Sequence, residues 1–243
     1  MLERIEKLQI AILGLLLAFG LILAVHIATT SFNKNSVDVT GSAYEIIESD
    51  SGVLEFCLKV QAPTKAQSYT IAKKQLPEVI KYLETKKIDT KKDINLKSVD
   101  GYYTYKTLPN GNVSNNEYAY YNFSQNIVVK SDDVNTIKDI SLDISSLMDK
   151  GIDIDVISTN YSYSGLSDLK VKLLKEATQD AKQRASAMLK ATNNRVGKIE
   201  SVKMGVFQIT PVDSTDVSDM GINDTSTIEK KITAVANVSF RVK

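Results

Sequence analysis

Apolar residues recur at three- and four-residue steps from Leu166 to Asn193. Leu166, Leu169, Leu173, Leu174, Ala177, Ala181, Ala185, Met188 and Leu189 fall on one stripe, which predicts a long amphipathic helix. Lysines and glutamines take the opposite face, and three alanines four residues apart leave a flat strip onto which a sheet can pack. Ser164 or Ser167 can cap the start, and Asn193-Asn194 with Gly197 supply the stop.

Other stretches read as strands. Leu54, Phe56, Leu58 and Val60 alternate with Glu55, Cys57 and Lys59, the period-2 pattern of a half-buried strand. Val37–Tyr44 predicts an earlier strand with an irregularity at Gly41-Ser42. Ile94–Lys106 and Glu117–Lys130 predict a long hairpin around Asn110-Gly111. Ile152–Val156, Val196–Gln208 and Ile228–Val242 complete the set. Two further helices are expected. One runs from Pro63-Thr64 to about Lys87 with Pro77 inside it, and one covers Asp132–Lys150, capped by Ser131, closed by Gly151 and burying Met148. The polar segment between the last two strands predicts a mobile loop or hairpin tip. Together these predict an α+β architecture over 37–243, one domain with three helices packed on a mostly antiparallel sheet.

Ahead of that domain the pattern changes. Residues 8–28, LQIAILGLLLAFGLILAVHIA, are apolar apart from Gln9 and His26 near the ends. About twenty such residues match a ~30 Å hydrocarbon core, so the stretch predicts a transmembrane anchor between a cytoplasmic 1–7 and a linker at 29–36. A cleaved signal peptide is the rival, with a shorter apolar region and a small-residue site that is poorly matched here. Arg4 and Lys7 precede the segment and only Lys34 follows closely, which puts the amino terminus inside and the domain in the periplasm or outside. This predicts a single-pass protein of the inner membrane, partnered by the lipid bilayer. His26, at the exit end, reads as a solvated interfacial residue.

Composition removes several function classes. The formal net charge of +1 gives no basis for nucleic-acid binding. One cysteine and one histidine exclude an internal disulfide framework and a zinc cluster. Ser-His and Cys-His nucleophile pairs need a base beside the nucleophile, and the only histidine lies in the anchor. No Gly-rich phosphate loop occurs. Asp213, Asp216, Asp219 and Asp224 lack the calcium-loop spacing. No catalytic residue, metal or cofactor is assigned.

Two candidates remain. The hairpin carries Tyr102, Tyr103, Tyr105, Tyr118, Tyr120 and Tyr121, which suit an oligomer interface or are plain strand residues. Cys57 is either a free thiol partly buried in its strand or an intersubunit cross-link.

Four stretches resemble the SIMPL-domain family of bacterial envelope proteins. Asp180–Val202 (DAKQRASAMLKATNNRVGKIESV) resembles the family's D-A-[KR]-x-[KR]-A helix, through Asp180, Ala181, Lys182, Arg184 and Ala185. The strand opening after it is matched by Gly197, Lys198 and Ile199. VDVTGSA (Val37–Ala43) is similar to the opening strand, YNFSQNIVVKSDDVNTI (Tyr121–Ile137) to a strand passing into a helix, and ITAVANVSFRV (Ile232–Val242) to the final strand. The loop before the last strand is acidic here where the family is proline-rich. The resemblance implies a periplasmic or surface-exposed α+β domain, with oligomeric relatives, loose links to envelope and oxidative-stress phenotypes, and no catalytic residues to carry over. The expected function is therefore a membrane-anchored, extracytoplasmic, non-catalytic domain that self-assembles as a homo-oligomer and supports envelope integrity or stress tolerance. Alternatives are a module that binds a small molecule or a peptide along a sheet edge, and a hydrolase using two unassigned carboxylates.

Overall fold

Leu54, Phe56 and Leu58 are fully buried, as their alternation predicts. Each such side chain contributes roughly 1.5–3 kcal/mol by leaving water. In the computed structural model, which describes residues 12–26, 35–109 and 111–243, they lie on the second of nine strands. The described elements in chain order are α1 (residues 12–26), β1 (Ser36–Glu48), β2 (Ser51–Ala62), α2 (Lys65–Thr85), β3 (Ile94–Thr107), β4 (Val113–Ser131) and α3 (Val134–Asp143). A 3₁₀ segment (Ile144–Lys150) follows, then β5 (Asp153–Ser162), α4 (Leu166–Lys190), β6 (Val196–Met204), β7 (Gln208–Pro211), β8 (Ile222–Asn223) and β9 (Glu229–Val242). The α+β class holds. The strands form two sheets rather than the single one expected: β3-β4-β2-β5, and β1-β9-β7-β8 with β6 also on β9. β2 is hydrogen-bonded on both sides, by β4 and β5, so it is a central strand and the edges of its sheet are β3 and β5.

The chain divides into two compact units. The larger comprises Tyr44–Leu173 and Val206–Thr233. Its four-stranded sheet is antiparallel throughout, and Leu54, Phe56, Leu58 and Ile127 form a core with Val79 and Leu83 of α2 and Ile137 and Ile140 of α3. Thr64 caps α2 through its hydroxyl oxygen, which accepts from the Gln67 amide at 3.3 Å. The α3 cap is Asp133, not Ser131, because the Asp133 carboxylate reaches the Asn135 and Thr136 amides. The last turns tighten into the 3₁₀ segment, which ends on Gly151 at φ 73° and leaves Met148 exposed rather than buried. Of the two serines expected to cap α4, Ser164 donates its amide and hydroxyl to Asp50, and Ser167 lies inside the helix. In the same unit, β7 pairs antiparallel with the start of β9 and parallel with β8.

The smaller unit comprises the described residues through Ala43 with Leu174–Gly205 and Ala234–Lys243. β6 pairs antiparallel with β9, and Ala177, Ala181 and Ala185 are fully buried. Gly41 explains the alanines. A Cβ there would lie 2.8 Å from Ala181 Cα and would strike the Ala177 carbonyl, so strand and helix backbones meet directly. What looked like an irregularity at Gly41-Ser42 is continuous strand.

α1 exposes its apolar side chains, Leu15, Leu17 and Phe19 among them. Among the described residues no helix is long and apolar enough to cross a membrane; the remainder of the expected 8–28 span lies outside those residues.

Candidate functional site

The tyrosine-rich hairpin is built from β3 and β4, and β3 is an edge of its sheet. Asn110 lies outside the described residues; Gly111 beside it adopts φ 82°, and its amide donates to Leu108 O at 2.9 Å. Tyr103 stands opposite Tyr121 and Tyr105 opposite Tyr118, with a register shift between Thr104 and Tyr105. The shift brings the four rings together. Tyr103 stacks on Tyr118 with centroids 4.4 Å apart, meets Tyr121 edge-on at 4.8 Å, and Tyr118 lies 4.9 Å from Tyr105. Hydrogen bonding with Tyr105 pushes the Tyr118 phenol above the usual tyrosine value.

Burial sorts the six residues into two roles. Tyr121 is buried with Phe123, Val60 and Ala72, and its ring covers Gly101, where a Cβ would fall 2.6 Å from the Tyr121 hydroxyl. It therefore anchors the ladder. Tyr103, Tyr105 and Tyr118 stay 38%, 41% and 49% exposed, a contiguous aromatic surface at an unpaired edge. Tyr102 alternates to the opposite face, where its neighbour Asn122 donates to Thr104 Oγ1 at 2.7 Å, and Tyr120, opposite Thr104, shares that face half-buried. The sequence groups six tyrosines; the register makes an exposed three on a buried fourth.

Cys57 is buried at 5% exposure. Its Sγ lies 3.7 Å from the Leu58 carbonyl, and burial pushes the thiol pKa up. Lys59 pairs with Asp155 at 2.5 Å and Lys97 with Glu55 at 2.7 Å on the strands around it.

The acidic segment is structured, not a free tip. Gln208 donates to Ser218 O at 2.7 Å, and its own Oε1 accepts from the Ser218 amide at 3.3 Å. Among the described residues no three of His, Cys, Asp and Glu gather as a metal site. Asp224 folds back on its own turn, accepting from the amides and hydroxyls of Ser226 and Thr227. Burial opposes its ionisation, but those bonds and the nearby Lys230 charge outweigh it and hold the carboxyl at about 2. Lys230 is the residue the sequence reading passes over. It is 3% exposed, and burial lowers its pKa against the opposing pull of Asp224.

Residues 37–241 match the SIMPL family, described as a protein of unknown function (DUF541), and the chain belongs to that family. No curated protein matches the chain.

Proposed function

We propose that this SIMPL-family chain is a membrane-anchored, extracytoplasmic, non-catalytic domain that assembles with copies of itself and serves envelope integrity or stress tolerance. The observation that carries the reading is the exposed ladder of Tyr103 and Tyr105 on edge strand β3 with Tyr118 beside them on β4. Tyrosine combines large apolar area with a polar tip at low entropic cost, which favours it in interfaces. Register shifts at Leu96/Val99 and on both sides of Tyr105 limit backbone pairing along β3, so side chains would dominate the contact. Anchoring is supported by the apolar run 8–28 and by the all-round exposure of apolar side chains on α1. Anchoring many copies in one membrane raises their effective concentration, so weak contacts suffice.

A second reading keeps the same edge and changes the occupant: a peptide added as a strand beside Val99–Thr104, where the β3–β4 register is regular. Native mass of the full chain in detergent, by light scattering, separates the two. A discrete multimer supports self-assembly; a monomer removes it and leaves the strand-addition reading.

A further inference from the structure

Lys230 and Asp224 line a cavity of about 140 Å³ within the larger unit. Its floor is apolar: Ile47, Ile209 and Ile232 are buried there, with Leu166 at the side. Its rim is polar and exposed, formed by Ser162, Asn223 and Thr225, so the space opens to solvent. An apolar chamber with few convergent polar groups is the usual form of a small-ligand site.

The polar end is unevenly satisfied. An ammonium carries three N–H donors. Lys230 Nζ donates to the Asp224 backbone carbonyl at 2.6 Å, the one acceptor within hydrogen-bond distance among the described residues. The Asp224 Oδ2 atom is 3.7 Å away, beyond hydrogen-bond reach. Both Asp224 oxygens are already filled, each by two donors from Ser226 and Thr227. The carboxylate therefore offsets the lysine charge through space without using its protons. A 97%-buried position would not ordinarily hold an ammonium with donors to spare, since unmade hydrogen bonds there are costly.

Nothing on β9 requires a lysine at this place. Lys230 is in phase with Ile232, Ala234, Ala236, Val238 and Phe240, all inward-facing and buried. A hydrophobic residue would continue that row.

We propose that this cavity is a binding site for a short-chain monocarboxylate, its carboxylate on Lys230 Nζ and its alkyl tail on Ile47, Ile209 and Ile232. Size sets the class. A cavity of roughly 150 Å³ accommodates a molecule as large as benzene, about six heavy atoms. That corresponds to acids from propionate to valerate. The site is separate from the β3–β4 hairpin and does not rest on self-assembly.

The experiment is calorimetric titration of the full chain with sodium acetate, propionate, butyrate, valerate and octanoate, and with 1-butanol as the uncharged probe. Affinity should rise about fourfold per methylene up to valerate and fall at octanoate, which exceeds the cavity. Butyrate should bind at least tenfold more tightly than 1-butanol. Lys230→Met should abolish butyrate binding. Because that change also strands Asp224, Leu166→Phe provides the second arm: it fills the cavity from the side and keeps the ion pair, and should weaken butyrate at least tenfold. Absence of saturable carboxylate binding, equal binding of 1-butanol, or undiminished binding by Leu166→Phe would each overturn the proposal.

Discussion

The Ser42 amide donates to Asp180 Oδ2 at 2.8 Å, tying β1 to α4 one residue beyond the Gly41 contact with Ala177 and Ala181. The same carboxylate pairs with Arg184 at 2.8 Å. The Ser42 bond, followed by the Arg184 one, lowers the Asp180 pKa. Two stretches that carry the family resemblance, VDVTGSA and DAKQRA, thus meet in space. Their residues serve packing: glycine and alanine permit the close approach, and aspartate fixes its register. Gly41→Ala forces a Cβ into the α4 backbone and should destabilise the fold by about 1–3 kcal/mol, seen as a lower urea midpoint. An unchanged midpoint would mean that the helix can shift without cost.

The tyrosine ladder makes a sharper prediction than composition does. Tyr103→Ser with Tyr118→Ser should reduce the native mass of the full chain, since both rings are exposed and stacked on each other. Tyr102→Ser lies on the opposite face and should leave the mass unchanged, although Tyr102 is the most exposed of the six at 67%. Equal effects from the two faces would assign assembly to some other surface. Tyr121→Ser is a poor probe of assembly because it opens the cluster with Phe123 and Val60, and should cost stability instead.

Long periodic elements were legible in the sequence; phase and pairing were less so. The α4 stripe, apart from Met188, which is 55% exposed, and the β2 alternation came through because each repeats several times over one element, and the buried side chains reinforce the same face. The division into two sheets was hidden, because alternation shows that β2 has a buried face but not that β4 and β5 take both its edges. The acidic segment read as a mobile tip because its order comes from side chains bonding locally, as Gln208 to Ser218 and Asp224 to Thr227, with no hydrophobic period. Lys230 was findable. Counting by twos from Phe240 through Val238, Ala236, Ala234 and Ile232 arrives at Lys230 and not Lys231. On the hairpin, the shift between Thr104 and Tyr105 changes which rings meet, and no residue pattern announces it.

Cys57 tests whether assembly has a redox component. At 5% exposure, with its pKa pushed up by burial, the thiol is held in its less nucleophilic form and away from reagents. In the native protein it should resist iodoacetamide at pH 8 and react within minutes once unfolded in urea. Reductant should accordingly leave the native mass unchanged. A multimer that dissolves in reductant would make Cys57 a cross-link and put the β2 face in the interface, whereas rapid native labelling would show an accessible free thiol and overturn its burial.

Asp224 should govern part of the acid stability. Its carboxyl falls from a reference of 3.8 to about 2 in the folded chain, so the folded state favours the ionised form. The stabilisation is complete well above pH 4, where the carboxyl is ionised in both states, and is lost as pH falls from about 4 to about 2. Over that window Asp224 should contribute about 2 kcal/mol to the pH dependence of unfolding. Other carboxylates titrate there too, so the quantity to measure is the difference between wild type and Asp224→Asn in urea unfolding at pH 6 and pH 2. The variant should be less stable than wild type at pH 6, where Lys230 loses its counter-charge, and the gap should close by pH 2. A gap that is the same at both pH values would mean that the Ser226 and Thr227 bonds hold this turn whatever the charge on Asp224.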